Sequence, residues 1–160
     1  MKMLALAAAT AALTTAAHAQ PPAIPLKQAV AAAERVIGGK AFDAELDTER
    51  GRLVYEVSLV KDGRVVEVEI DPASGQLVRQ NRQPRPAPWD SGALKAAQSA
   101  PKPLTQTISM VEASTKGRVT DISLERRNKR HYYEVELAGA QDREVLVDLQ
   151  TGAITPVIDD

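Results

Sequence analysis

The sequence predicts an α+β fold of two small modules, each one helix packed on a three- to four-stranded antiparallel sheet. Three observations predict it. The segment 24–80 recurs at the end of the chain, each copy opens with apolar residues at helical spacing, and each continues with the alternation of strands.

The repeat comes first because it sets the organisation. At an offset of 78, Leu26 meets Leu104, Gln28 meets Gln106, Gly39 meets Gly117, Leu46 meets Leu124, and Tyr55-Glu56-Val57 meets Tyr133-Glu134-Val135. After one deletion the offset becomes 77, and Glu67, Val68, Asp71 and Gly75 fall on Glu144, Val145, Asp148 and Gly152. The chain then divides into residues 1–19, a first module at 24–80, a proline-rich connector at 81–103, and a second, more divergent module at 104–160. A module of 57 residues is marginal as an independent fold, so the two are expected to share an interface.

The helix of the first copy is read from Leu26, Ala29, Val30, Ala33, Val36 and Ile37, which line one face. Pro25 sits near its first turn and Gly38-Gly39 ends it. The second helix, at about Thr105 to Lys116, keeps Ile108 and Val111 in register but has Thr107, Ser114 and Thr115 at otherwise apolar positions, so it should pack more weakly.

Strands follow. Phe42, Ala44 and Leu46 point one way, with Asp43, Glu45 and Asp47 on the other. Tyr55, Val57 and Leu59 continue the inward face, Asp62-Gly63 makes a tight hairpin, and Val66, Val68 and Ile70 return. Asp71 to Gly75 turns the chain into a short strand at Leu77-Val78. In the second copy Thr120, Ile122 and Leu124, then Tyr133, Val135 and Leu137, then Val145 and Val147 repeat the order, with Asp148 and Gly152 at the turn. A helix covering one sheet face should leave the other open to water. Five prolines between Pro84 and Pro103 make the connector semi-rigid, with a short helical piece around Ala93 to Gln98.

Residues 1–19 read as a secretory signal: Lys2, an Ala-rich apolar stretch, and Ala17-His18-Ala19 before Gln20, which places cleavage between Ala19 and Gln20. Thr10, Thr14, Thr15 and His18 interrupt the stretch, which argues against a membrane anchor. No other segment is apolar over membrane length, so the mature chain is expected to lack a transmembrane segment and to reside in a periplasm or outside the cell. There is no cysteine, hence no disulfide, thiolate metal site or thiol nucleophile. Removing Lys2 leaves 19 basic residues against 21 acidic ones, a net charge of −2, a balance that argues against a nucleic-acid partner.

Leu26-Lys27-Gln28-Ala29 opening a helix, Tyr55-Glu56-Val57, and Glu67-Val68-Glu69-Ile70-Asp71 with Gly75 four residues on resemble the PepSY domain, named for peptidase propeptides and YpeB. Tyr133-Glu134-Val135-Glu136-Leu137 and Val145-Leu146-Val147-Asp148 with Gly152 are similar to the same domain, with Thr107 departing from its usual small apolar residue. The resemblance implies a non-catalytic, exported module of the kind found in propeptides of thermolysin-like peptidases, with peptidase inhibition as one role. The motif residues are read as structural: Tyr55, Val57, Tyr133 and Val135 as core, and Asp71, Gly75, Asp148 and Gly152 as turns. Glu56 and Glu134 belong to the outward strand phase.

Candidate chemistry is sparse. His131 lies at a hairpin tip among Arg127, Lys129 and Arg130, a place for solvated charge, and its spacing to Glu134 puts the two on opposite strand faces, unsuited to one metal. Ser99 and Lys102 formally match a Ser-x-x-Lys hydrolase pair, but Pro101 and Pro103 break the helical turn which that chemistry needs. Asp43, Glu45, Asp47, Glu56, Glu67 and Glu69 fall on the outward phase, a solvated face or else an acidic platform for cations or a basic partner. Arg126-Arg127-Asn128-Lys129-Arg130, followed by Tyr132-Tyr133, is the strongest basic cluster, with Arg127, Arg130 and Tyr132 as its candidate interaction residues. The expectation is an exported, non-enzymatic binding or regulatory protein with no cofactor, acting on another protein, a peptidase among the candidates. A cation- or small-molecule-binding role for the acidic face is the alternative, and a Ser/Lys hydrolase ranks below both.

Overall fold

The computed structural model describes residues 22–82, 91–139 and 144–157. Residues 1–21, and with them the expected cleavage point at Ala19 and Gln20, lie outside the described residues, as do connector residues 83–90.

Each copy has one helix followed by four strands. The first holds α1 (Leu26–Ile37), β1 (Lys40–Glu49), β2 (Arg52–Lys61), β3 (Arg64–Ile70) and β4 (Leu77–Arg82). After α2 (Ser91–Ser99) in the connector, the second holds α3 (Leu104–Thr115), β5 (Arg118–Arg127), β6 (Arg130–Ala138), β7 (Glu144–Asp148) and β8 (Ile154–Pro156). The two meanders join edge to edge in one antiparallel sheet of order β4-β3-β2-β1-β5-β6-β7-β8, with β1 and β5 at the centre. Fusion answers the size problem: each module covers one open edge of the other.

Helix ends follow local chemistry. Pro25 and Pro103 stand just before α1 and α3 with extended backbones. Gly38 closes α1 in the left-handed region at φ 73°, and Lys116 takes the same conformation at φ 60° after α3. Asp62 and Gly63 both have positive φ, as a type I′ hairpin requires.

The core lies between the helices and one sheet face. Leu26, Ala29, Val30, Ala33 and Ile37 of α1 and Leu104, Ile108 and Val111 of α3 are buried over Tyr55, Val57, Leu59, Val66, Val68, Ile70, Tyr133, Val135, Val145 and Val147. α1 and α3 also touch each other, so the helix layer, like the sheet, spans both modules. Val36, read as a core position, is 54% exposed. Thr107 is buried, and its hydroxyl donates to the Pro103 carbonyl at 3.4 Å.

Strict alternation fails at equivalent points of β1 and β5, and the β3–β4 pair carries a further register shift between Glu69 and Ile70. The register shifts between Ala41 and Asp43, leaving Phe42 as the extra residue, and again between Val119 and Asp121, at Thr120. A bulge moves the inward position back by one residue, so Ala41 pairs with Leu59, and Val119, not Thr120, enters the core. Phe42 is fully buried all the same.

The far face is less open than alternation implies. Val54, Ser58 and Val65 lie on its phase and are buried. α2 lies against β1 and β5, and Lys40, on the same phase of β1, donates to the carbonyls of Gln98 and Ala100 at 2.7 and 3.4 Å.

Candidate functional site

Tyr55, Val57, Tyr133 and Val135 are buried beneath the helices. The Tyr55 hydroxyl donates to the Ile24 carbonyl at 2.8 Å. Tyr133 has no such bond among the described residues, and burial, followed by the nearby Asp43 charge, pushes its hydroxyl pKa up. Asp71 accepts the N–H groups of Ala73 and Ser74 through Oδ1, both at 2.8 Å, and Asp148 accepts those of Gln150 and Thr151 at 2.9 and 2.8 Å. Gly75 and Gly152, at φ 72° and 73°, donate to the carbonyls of Asp71 and Asp148, both at 2.8 Å, closing the two turns.

The chemically unusual surface is the far sheet face. Glu45 pairs in register with Glu56 on β2 and with Asp121 on β5, Glu56 with Glu69 on β3, and Asp121 with Glu136 on β6. Carboxyl groups therefore neighbour one another across five strands of the sheet. Burial, reinforced by the Asp121, Glu45, Glu56 and Glu67 charges, pushes Asp43 up to about 8. Asp121 rises to about 7 through burial and the charges of Glu45, Glu136 and Glu134. Glu56 rises to about 7 through burial and the adjacent Glu67 carboxyl. Desolvation and like charge act together, both favouring the neutral form.

Asp47, Glu49 and Glu56 each bring one carboxylate oxygen within 4.8 Å of the others at the end of the β1–β2 hairpin. Three such oxygens fall well short of the roughly six to eight that calcium takes. The cation-platform expectation therefore gains no built site among the described residues.

The basic tip is engaged rather than free. Arg127 Nη2 lies 2.6 Å from Glu134 and 3.6 Å from Glu144, and its Nε is 3.9 Å from Glu125. Arg130 reaches Asp148 at 2.7 Å. Tyr132 is half-buried, pairing in register with Glu125 and Asp148. His131 is half-buried too, with Nε2 shielded and without a hydrogen-bond partner, so the expected solvated charge is wrong for it. Its phase, shared with Tyr133, turns the ring toward the helix layer. Ser99 donates its hydroxyl to the carbonyls of Lys95 and Ala96, and the Lys102 ammonium sits over Gly152, so the two side chains serve different partners.

Glu34 and Glu112 escaped the sequence reading altogether. Glu34 Oε1 accepts the backbone N–H of Ala41 at 3.0 Å, and Glu112 Oε1 that of Val119 at 3.2 Å. Their common offset of 78 was the available signal.

The family model for the peptidase propeptide and YPEB domain, PepSY, matches residues 23–81 and again 93–155. The chain belongs to the PepSY family. PepSY domains are generally binding or regulatory modules of propeptide type and typically non-catalytic, and PepSY proteins are typically exported. No curated protein matches the sequence. Among solved structures, a candidate lipoprotein from Clostridium difficile 630 is similar at 16% identity, with 88% of this chain and 96% of that one covered and a TM-score of 0.49. Likeness at that level carries no functional argument. No described helix of this PepSY protein is long and apolar enough to cross a membrane.

Proposed function

We propose that this PepSY protein is an exported, non-enzymatic binding protein that engages another protein of the cell envelope, a peptidase being the class its propeptide-type modules suit. The observation that carries the reading is the family match in both halves of a chain whose halves share one sheet and one helix layer. A propeptide-type module works by presenting a folded surface to a peptidase. Two fused copies present a wide and rigid one.

The test adds the chain lacking residues 1–19 to secreted metallopeptidases of the thermolysin type. Saturable slowing of peptide hydrolysis supports peptidase regulation. Envelope extracts passed over the same chain should yield a specific partner. If hydrolysis is unchanged and nothing is retained above an unrelated exported protein, the reading fails.

A further inference from the structure

The ladder between β1 and β5 has two register pairs, Ala44 with Ile122 and Glu45 with Asp121. Ala44 and Ile122 are fully buried on the helix side. Glu45 and Asp121, one step along, project from the opposite face, so the junction sets two carboxyl groups side by side. Like charges directly across strands are destabilising. With no opposite charge between them, the register pair can be relieved by one proton. A protonated carboxyl can donate a hydrogen bond to its ionised neighbour, whereas two ionised carboxylates have no hydrogen to donate.

Among the described residues the surroundings offer no substitute for the proton. Asp43 and Asp47 flank Glu45 on β1, Glu56 faces it from β2 and Glu67 lies beyond on β3, while Glu134 and Glu136 face Asp121 from β6. On α2, packed against the same two strands, the ionisable side chain is the exposed Lys95. Lys40 is tied to carbonyls at the end of α2, Arg127 to Glu125, Glu134 and Glu144, and Arg79 to Glu69. No cation among the described residues is paired with Glu45 or Asp121.

We propose that the junction between the two PepSY modules is a proton-held seam: with one proton shared between Glu45 and Asp121 the strands stay paired, and when both ionise β1 loosens from β5 while the α1–α3 contact keeps the modules joined. The device is reversible and sets how rigidly the two halves are held. Burial and then neighbouring charge raise both carboxyls above their ordinary values of 4.5 and 3.8, Asp121 to about 7. A raised acid stabilises the paired state fully below its unfolded value. That contribution is lost as pH rises through the folded value, here between about 4 and 7.

Hydrogen exchange on the full chain between pH 5 and 9, with EDTA present, tests the proposal. Seam amides at 43–46 and 120–123 should lose about tenfold in protection relative to β3 and β7 amides as pH rises, the equivalent of one pKa unit. The double variant Glu45→Gln with Asp121→Asn should abolish the relative loss, and Glu45→Gln alone should reduce it. Parallel loss in seam and reference strands overturns the proposal, as does an unchanged loss in Glu45→Gln, which serves if the double variant does not fold. Asp43→Asn should retain the loss. If it alone removes the effect, the seam pair is not the switch.

Discussion

Glu34 of α1 reaches past the helix end to accept the backbone N–H of Ala41, and Glu112 does the same for Val119 one module later. Both amides adjoin the bulges, where the ladder leaves a donor short of a strand partner. A charged acceptor bound to a buried amide is worth about 1.5–3 kcal/mol. Glu34→Ala and Glu112→Ala should each destabilise by about 1–3 kcal/mol, and Glu→Gln, which keeps an acceptor oxygen, should cost less. Urea midpoints at neutral pH check both.

That contact marks the boundary of what could be read from the residues. The Asp62-Gly63 hairpin, the turn aspartates Asp71 and Asp148 and most of each helical face depend on neighbours within a few positions and were legible, with Val36 the exception, and the repeat was legible from its constant offset. Glu34 and Glu112 look like ordinary wet helix positions until a bulge seven residues on creates a donor for them. The same bulges displaced Thr120 and brought Val119 into the core. Pairing of Glu45 with Asp121 lies 76 residues apart in sequence and follows from edge-to-edge docking, which no local period encodes. His131 was misjudged because its basic neighbours suggested water, while strand phase turned its ring toward the helix layer.

The two helix ends differ in a way that should be measurable. Gly38 ends α1 in a left-handed conformation that costs it little, whereas Lys116 carries a side chain into the same region. Lys116→Gly should therefore stabilise the protein by about 0.5–1 kcal/mol, the left-handed cost less the added freedom of the unfolded chain. Gly38→Ala should destabilise by a similar amount. A rise in melting temperature for the first and a fall for the second is the expected pair.

Gly39 tests backbone proximity instead. A Cβ built there lies 2.8 Å from the Val60 carbonyl oxygen, an atom of β2 that cannot step aside. Gly39→Ala should cost about 1–3 kcal/mol as an overpacking change. At Gly63 no atom lies within 4 Å of such a Cβ, so Gly63→Ala carries only the strain of φ 72°. Denaturant midpoints should rank Gly39→Ala as the more damaging of the two.

Tyr55 and Tyr133 are equivalent by repeat and buried alike, at 2% exposure each, yet among the described residues Tyr55 alone of the two holds a carbonyl, that of Ile24. Tyr55→Phe should lose about 0.5–1.5 kcal/mol, the net value of one hydrogen bond. Tyr133→Phe removes a hydroxyl with no hydrogen bond among the described residues and should be close to neutral. Equal losses in the two variants would show that the modules are more alike than their hydrogen bonds.

The turn aspartates differ in burial and therefore in what pH does to them. Burial works to raise the Asp148 carboxyl, but the N–H groups of Gln150 and Thr151, the Thr151 hydroxyl and the Arg130 guanidinium outweigh it, leaving the group below its ordinary 3.8. Asp71, more exposed, is lowered mainly by the N–H groups of Ser74 and Ala73. A lowered acid contributes stability that is present above its unfolded value and is lost as pH falls through the folded one. Asp148→Ala should cost about 1–3 kcal/mol at pH 7, where the ionised group is paired and its donors would be left short. Asp71→Ala should cost less, because water can replace the lost acceptor. The gap between wild type and Asp148→Ala should narrow only below about pH 4, as Asp148 takes up its proton. Unfolding curves recorded from pH 3 to pH 7 measure that gap, and a gap that stayed constant would mean the Asp148 charge adds nothing to the turn.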